Sequence, residues 1–201
     1  CIDPSSALDI AKKKLEDLEN VTFINGSVDE PGIDKNSQDF GYSLGVLHHI
    51  PDTSLAIKSC VSLLKVDAPL LLYLYYSFDN RPVWFRAIWK ISDFVRKIIY
   101  RFPPKAKHIV TDLIALFIYF PLAKISMVLA QLNVNTDRLP LSFYKDHSFY
   151  TMRTDARDRF GTPLEQRFSR DEIKKMMEKA GLHSIHFSEH APFWCAMGRK
   201  R

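Results

Sequence analysis

Cysteine is scarce in this chain: Cys1, Cys60 and Cys195 are the only three in 201 residues. None lies at metal-ligand spacing from another, and three cannot all pair. A zinc ribbon and a disulfide framework are therefore excluded, and a reducing, cytoplasmic setting is expected. No cleavable segment, charged and then apolar, opens the sequence, so no secretory leader is read there. Internal repeats and low-complexity tracts are absent as well. Charge is not extreme in either sign. The net value of +5 fits an anionic ligand, a membrane surface or nucleic acid and selects none of them. The length suits one domain with a large insertion, or two domains, and suffices for a sizeable core.

What is present is an α/β rhythm. Cys1 to Asp3 reads as the end of a strand. Pro4-Ser5-Ser6 starts a helix to about Leu18, with Ala7, Ile10, Ala11, Leu15 and Leu18 at helical spacing. Val21 to Ile24 is a short β-rich run ended by Asn25-Gly26. Phe40 to Leu44 is the next strand, and Ser54 to Leu64 is an amphipathic helix. Leu70 to Tyr76 is a nearly uninterrupted apolar run, as expected of a strand buried on both faces. Alternation of this kind predicts a parallel sheet. The rhythm breaks after Ser77. An aromatic, basic helix is expected over about Asn80 to Arg101. An apolar one follows over Ile109 to Leu132, kinked or divided at Pro121. After Gly161-Thr162-Pro163 the α/β pattern returns. Ser169 and Glu172 form a capping box for a helix through Lys179, and His183 to Ser188 and Trp194 to Arg199 read as an antiparallel hairpin.

Several residues suit chemistry. Asp3 follows a strand end and precedes a helix, where an acid either accepts hydrogen bonds from ribose hydroxyls or merely flanks the helix. His48 and His49 are candidates for acid–base catalysis, since imidazole titrates near neutrality; packing at a helix start is the plainer role. No carboxylate or Cys lies at ligand spacing from them, so no metal is expected.

The segment Tyr42-Ser43-Leu44-Gly45-Val46-Leu47-His48-His49-Ile50-Pro51-Asp52 resembles the fourth-strand motif of class I S-adenosylmethionine-dependent methyltransferases. "IDPSSALDIAKKKL", residues 2 to 15, looks like their second-strand segment. The resemblance covers residues 1 to 76 and, more weakly, 166 to 201. It implies S-adenosyl-L-methionine as cofactor and a Rossmann-like sheet with a C-terminal antiparallel hairpin. Asp3 would hold the cofactor's ribose, and Leu44 and Gly45 would line its pocket. Ser27, with Val28 beside it, stands where the family often has an Asp that meets the adenine amino group, a departure that weakens the site. Lys65-Val66-Asp67-Ala68 replaces a glycine-bearing turn. The family's Gly-rich loop follows the first strand, which sits centrally between the second and fourth. No Gly-x-Gly-x-Gly run occurs here, so strand and loop are expected upstream of Cys1. Residues 1 to 201 are then a part of a longer reading frame, inactive by itself.

The resemblance further implies an α/β core of residues 1–77 and 166–201 and a mostly helical cap of residues 78–165. Acceptor-site candidates are Tyr75, Tyr76, Asp79, Asn80 and Arg81 after the fifth strand and Tyr150, Arg153, Asp155 and Arg157 near the insertion's return; a hydrogen-bonded hinge is their plainer role, and Tyr76 is also a weak catalytic candidate. Basic and aromatic residues interleave from Arg81 to Lys107. A cap helix with one basic face is the first reading, a helix at a membrane surface the second, and RNA contact the third. An apolar cap suggests a small-molecule or lipid-linked acceptor. A non-catalytic scaffold of the same fold and an RNA-directed methyltransferase are the alternatives.

Overall fold

The computed structural model describes residues 1–137, 139–190 and 193–201. The chain divides into two compact units, Cys1–Ser77 with Gln166–Arg201, and Phe78–Glu165.

The first unit is an α/β layer built on a four-stranded sheet. Its elements are α1 (Ala7–Lys14), β1 (Gly41–Leu44), α2 (Thr53–Leu63), β2 (Pro69–Tyr73), α7 (Arg170–Lys179), β3 (Leu182–Phe187) and β4 (Cys195–Lys200). The strand order is β1-β2-β4-β3. β1 pairs parallel to β2, Gly41 with Leu70 through Leu44 with Tyr73. β4 runs antiparallel to both β2 and β3. The expected C-terminal hairpin is therefore present and inserts β4 beside β2.

β2 shows why sequence and structure part. Its apolar run suggested burial on both faces, yet burial alternates along it. Leu70, Leu72 and Leu74 are fully buried against Ile57, Val61, Ile173 and Met177 of α2 and α7. The other face carries Tyr42, Leu44 and Met197, which stay exposed. Among the described residues, helices thus cover one side of the sheet.

The first 24 residues are less regular than the sequence suggested. Val21 to Ile24 is no strand: Ile2 and Ile24 form a single parallel bridge, outside the four-stranded sheet. Asp3 N–H donates to the Ile24 carbonyl at 3.1 Å and Ile24 N–H to the Cys1 carbonyl at 2.9 Å. The helix stops at Lys14 rather than Leu18 and buries only Leu8; Ile10, Leu15 and Leu18 remain exposed.

Where glycines were missed in Lys65–Ala68, Asp67 takes the left-handed conformation itself, at φ 64°. Arg199 donates to its carbonyl at 2.8 Å and so ties that turn to β4.

The second unit is helical: α3 (Val83–Ile99), α4 (Pro104–Ile114), α5 (Phe120–Gln131) and α6 (Phe149–Gly161). α4 and α5 are one continuous 28-residue rod, Pro104–Gln131, joined by a π-helical turn over Ala115–Tyr119. Pro121 follows that turn. A π turn bonds five residues back, so it relaxes the ladder where the proline lacks its N–H. Ile99, Ala115, Tyr119, Ala123, Met152, Ala156 and Phe160 form this unit's own core.

Candidate functional site

In parallel pairs both strands deliver their carboxyl ends to one side, and ligands of open α/β sheets bind there. In this protein β1 and β2 deliver the Gly45–His49 turn and Tyr75 to that side. Gly45 has φ 71°, which only glycine adopts readily, and its N–H bonds the Tyr73 carbonyl at 2.9 Å. A Cβ there would meet the Tyr73 ring at no closer than 3.9 Å. The glycine is thus required by backbone conformation rather than by lack of room. Leu44 is 50 % exposed, open to a ligand, and Val46 at 51 % points to solvent rather than into packing.

A short 3-10 turn over Leu47–His49 places the two histidines differently. His48 is fully buried. Its ring stacks on Tyr75 at 3.8 Å and sits 4.1 Å from the His49 ring. Both His48 ring nitrogens lack a hydrogen-bond partner. Burial, followed by the neighbouring His49 and the Arg167 charge, pushes its pKa down to about 3. His48 is therefore a neutral imidazole at physiological pH. It can exchange a hydrogen bond with a bound group but cannot act as a cation there.

The return segment closes this cluster. Gln166 donates from Nε2 to the Ile50 carbonyl at 2.7 Å, and its N–H bonds the His48 carbonyl at 3.2 Å. Arg167 lies over the Tyr75 ring at 5.0 Å and donates to the Tyr76 carbonyl at 3.2 Å. Tyr76 bridges to Phe168, and its ring meets Trp194 edge-on at 6.4 Å. Gln166 and Arg167 were not singled out in the sequence. Nothing local marks them, because their partners lie about a hundred residues earlier. Tyr73 was also missed, although its place two residues before Tyr75, at a strand end, was a usable signal.

The bridged pair Ile2 and Ile24 is likewise parallel, so Asp3 and the Asn25–Asp29 loop leave it at one end. Asp3 Oδ1 accepts from Ser5 N–H at 2.7 Å and Ser5 Oγ at 2.6 Å. Those bonds hold its carboxyl below the ordinary range. Among the described residues Oδ2 has no hydrogen-bond partner and is left to accept from a ligand hydroxyl. Ser27 is exposed and reaches Asp29 at 3.5 Å. Val28 packs partly against the α/β core.

The remaining candidates belong to the helical unit. Asp79 is exposed. Arg81 donates to the Asp137 carbonyl at 2.8 Å and lies over Phe85 at 5.5 Å. On α6, Arg153 lies over the Tyr150 ring at 5.6 Å, and Tyr150 is 68 % exposed. A shallow depression lined by Asp52, Leu55, Lys58 and Lys179 involves none of the candidates. Among the described residues, no three His, Cys, Asp or Glu gather as metal ligands.

Comparison with known proteins fits this geometry. Residues 1–72 match the family model described as a methyltransferase domain. No curated protein sequence matches the chain. Among solved structures, it is similar to a SAM-dependent methyltransferase from Methanosarcina mazei. The identity is 14 %, with 99 % of this chain and 80 % of that one covered and a TM-score of 0.52. An O-methyltransferase family protein from Burkholderia thailandensis matches at 14 % identity over 99 % and 42 % of the two chains, TM-score 0.52. Human N-acetylserotonin methyltransferase, solved in complex with SAM, matches at 13 % over 99 % and 39 %, TM-score 0.50. The chain spans 54 % and 43 % of two further similar structures, about half their length. The α/β unit has the class I SAM-dependent methyltransferase fold, and residues 1–72 match the methyltransferase-domain model.

Proposed function

We propose that the protein transfers the methyl group of S-adenosylmethionine to an apolar or amphipathic small-molecule or lipid-linked acceptor. The observation that carries this reading is the methyltransferase-domain match over residues 1–72, which contain Asp3, Ser27, Leu44 and Gly45. The residues present fit such a cofactor. Asp3 keeps an unpartnered carboxylate oxygen for ribose hydroxyls, Gly45 lets a flat group approach the backbone, and His48 buries two unpaired ring nitrogens.

The cofactor, when bound, supplies an electrophilic methyl on a sulfonium. The acceptor's O, N or C atom would form its bond to that carbon as the carbon–sulfur bond breaks, and the acceptor's proton would leave to water or a base. What the protein contributes is position: holding acceptor and methyl in line converts a bimolecular step into a unimolecular one. Neutral His48, with Tyr75 stacked on its ring and Arg167 over Tyr75, fixes the strand-end turn beside which an acceptor would lie. The apolar surface of the helical unit supports an apolar acceptor, and nucleic acid is the less favoured substrate.

Calorimetry on the complete gene product tests this reading. S-Adenosylmethionine should bind, and Asp3→Ala should weaken it by roughly ten- to a hundredfold, the loss of hydrogen bonds to a charged acceptor of about 1.5–3 kcal/mol. Unchanged affinity in Asp3→Ala would remove that residue from the site. No binding by the wild type would leave a non-catalytic scaffold of this fold.

A further inference from the structure

The helical unit shows an inverted amphipathic helix. α3 turns inward a mixed side, on which Arg96 is buried beside Ile99 and the partly buried Phe85, Trp89 and Val95. Arg96 is 4 % exposed, pairs with Asp93 at 2.9 Å, and donates to the Thr162 and Pro163 carbonyls at 2.9 and 3.2 Å. Ile99, one turn on, joins the unit's core. These contacts fix the helix's rotation. The opposite side is apolar and open: Val83, Trp84, Ile88, Ile91, Phe94 and Ile98 are 44–72 % exposed. At 3.6 residues per turn those six fall within an arc of about 140°. Arg86, Lys90 and Lys97 adjoin one edge of that arc, all exposed.

A soluble helix normally turns its apolar stripe toward the core. Here the core contact is made by the other side, so burial within the protein does not account for the stripe. The rod Pro104–Gln131 repeats the pattern. Its most apolar 18-residue stretch has a mean hydropathy of 2.1, but only 22 % of that stretch is buried. Thr111, Ala115, Tyr119 and Ala123 face the unit's core, whereas Ile109, Leu113, Phe117 and Ile125 are exposed. Length and composition would let this rod cross a bilayer. Its inner side, however, is already engaged: Asp112 holds Arg157 of α6 through two bonds of 2.7 Å.

We infer that the helical unit docks on the surface of an anionic lipid bilayer, with the apolar stripe of α3 lying in the interface rather than crossing it. Charge complementarity selects this occupant. Residues 81 to 107 hold eight basic side chains and one acid, and that acid, Asp93, is already paired with Arg96 and Lys97. A large apolar stripe with Trp on it and basic residues at its edge is what an interfacial helix requires. Anionic headgroups meet the cations while acyl chains cover the stripe. This assignment rests on the helical unit alone and stands whether or not the α/β unit transfers methyl groups.

Co-sedimentation of the purified protein with phosphatidylcholine vesicles, alone or mixed with phosphatidylglycerol, tests it. Partitioning should be at least about tenfold stronger on the anionic vesicles and should fall about tenfold or more at roughly 0.5 M salt, where charges are screened within a few ångströms. Ile91→Asp with Phe94→Asp should abolish binding, and Arg86→Glu with Lys90→Glu should weaken it about tenfold or more. Both variants change exposed residues only, and circular dichroism should show them folded. Equal binding to neutral vesicles, or retention that only detergent reverses, overturns surface docking. So does a folded wild type that ignores vesicles. A lipid-free dimer that Ile91→Asp with Phe94→Asp dissociates would assign the stripe to a second copy. Salt-sensitive RNA retention without vesicle binding would assign the cations to nucleic acid. Either result also overturns the inference.

Discussion

His48 sits where two physical demands conflict. Its ring is buried and stacked on Tyr75, which favours an apolar aromatic, yet it carries two nitrogens without partners. Burial, then His49 and Arg167, hold its folded pKa near 3 against an ordinary 6.5. The sign of the linkage follows. Above pH 6.5 neither folded nor unfolded chain is protonated there, and His48 adds no pH dependence. Below it the unfolded chain takes a proton that the folded one refuses, so stability falls until pH approaches 3. The slope from this one group is at most about 1.4 kcal/mol per pH unit. His48→Phe keeps the stack and removes the titration. Urea unfolding at pH 7 and pH 5 should show a smaller difference for the variant, with stability at pH 7 unchanged or about 1 kcal/mol higher because unpaired buried polar atoms are gone. An unchanged pH difference would mean that His48 is hydrated or paired in solution. Gly45 and Val46 separate conformation from packing in the same turn. Gly45 is held by its φ of 71°, while Val46 is 51 % exposed. A Val46 truncation therefore has little to lose.

At the scale of elements, β4 packs closely against β3 and α7. A Cβ at Gly198 would lie 3.2 Å from Ile185 Cγ1, Leu182 Cβ and Met177 Cε at once. Three neighbours on two elements cannot all retreat, so Gly198→Ala should destabilise by about 1–3 kcal/mol through overpacking. Gly26→Ala is the control. Its Cβ would meet only the Glu30 carbonyl oxygen, at 3.9 Å, and its thermal midpoint should stay within a degree or two of wild type (about 0.5 kcal/mol). Equal shifts in the two variants would show that the β4 contacts relax freely. Elements whose determinants are local were legible in the sequence. Ser169 and Glu172 form the reciprocal capping box; Asp52 caps α2 by accepting from Leu55 N–H at 2.9 Å. Both rest on residues three apart. Val21–Ile24 failed for the opposite reason: β propensity makes a strand only with a neighbour, and Ile24 finds one residue, Ile2. The Gln166 and Arg167 contacts with the histidine turn and Tyr75 span about a hundred residues, so no window on the sequence contains both partners.

At the scale of the whole chain, charge and topology separate the two units. The helical unit carries fourteen basic and eight acidic residues, whereas the α/β segments carry fourteen and fifteen. The net basic excess of the full sequence therefore belongs to the insertion. Topology makes that insertion separable. It leaves the α/β unit after Ser77 and returns at Gln166, and the two ends are adjacent: Ser77 N–H bonds the Phe168 carbonyl at 2.9 Å and Phe168 N–H the Tyr75 carbonyl at 2.9 Å. Its core residues, Ile99 through Phe160, are distinct from those of the α/β unit. Domain insertions are tolerated where the host's ends already meet, because a short connection closes the gap at small entropic cost. Replacing Phe78–Glu165 by about four to six Gly and Ser residues should thus leave the β1-β2-β4-β3 sheet intact. The shortened protein should keep a cooperative thermal transition and slow amide exchange in β2 and β4, while losing the vesicle binding assigned to α3. A product with strand signal but no cooperative transition would show that the α/β unit draws its stability from the insertion, and that the two units form a single folding entity.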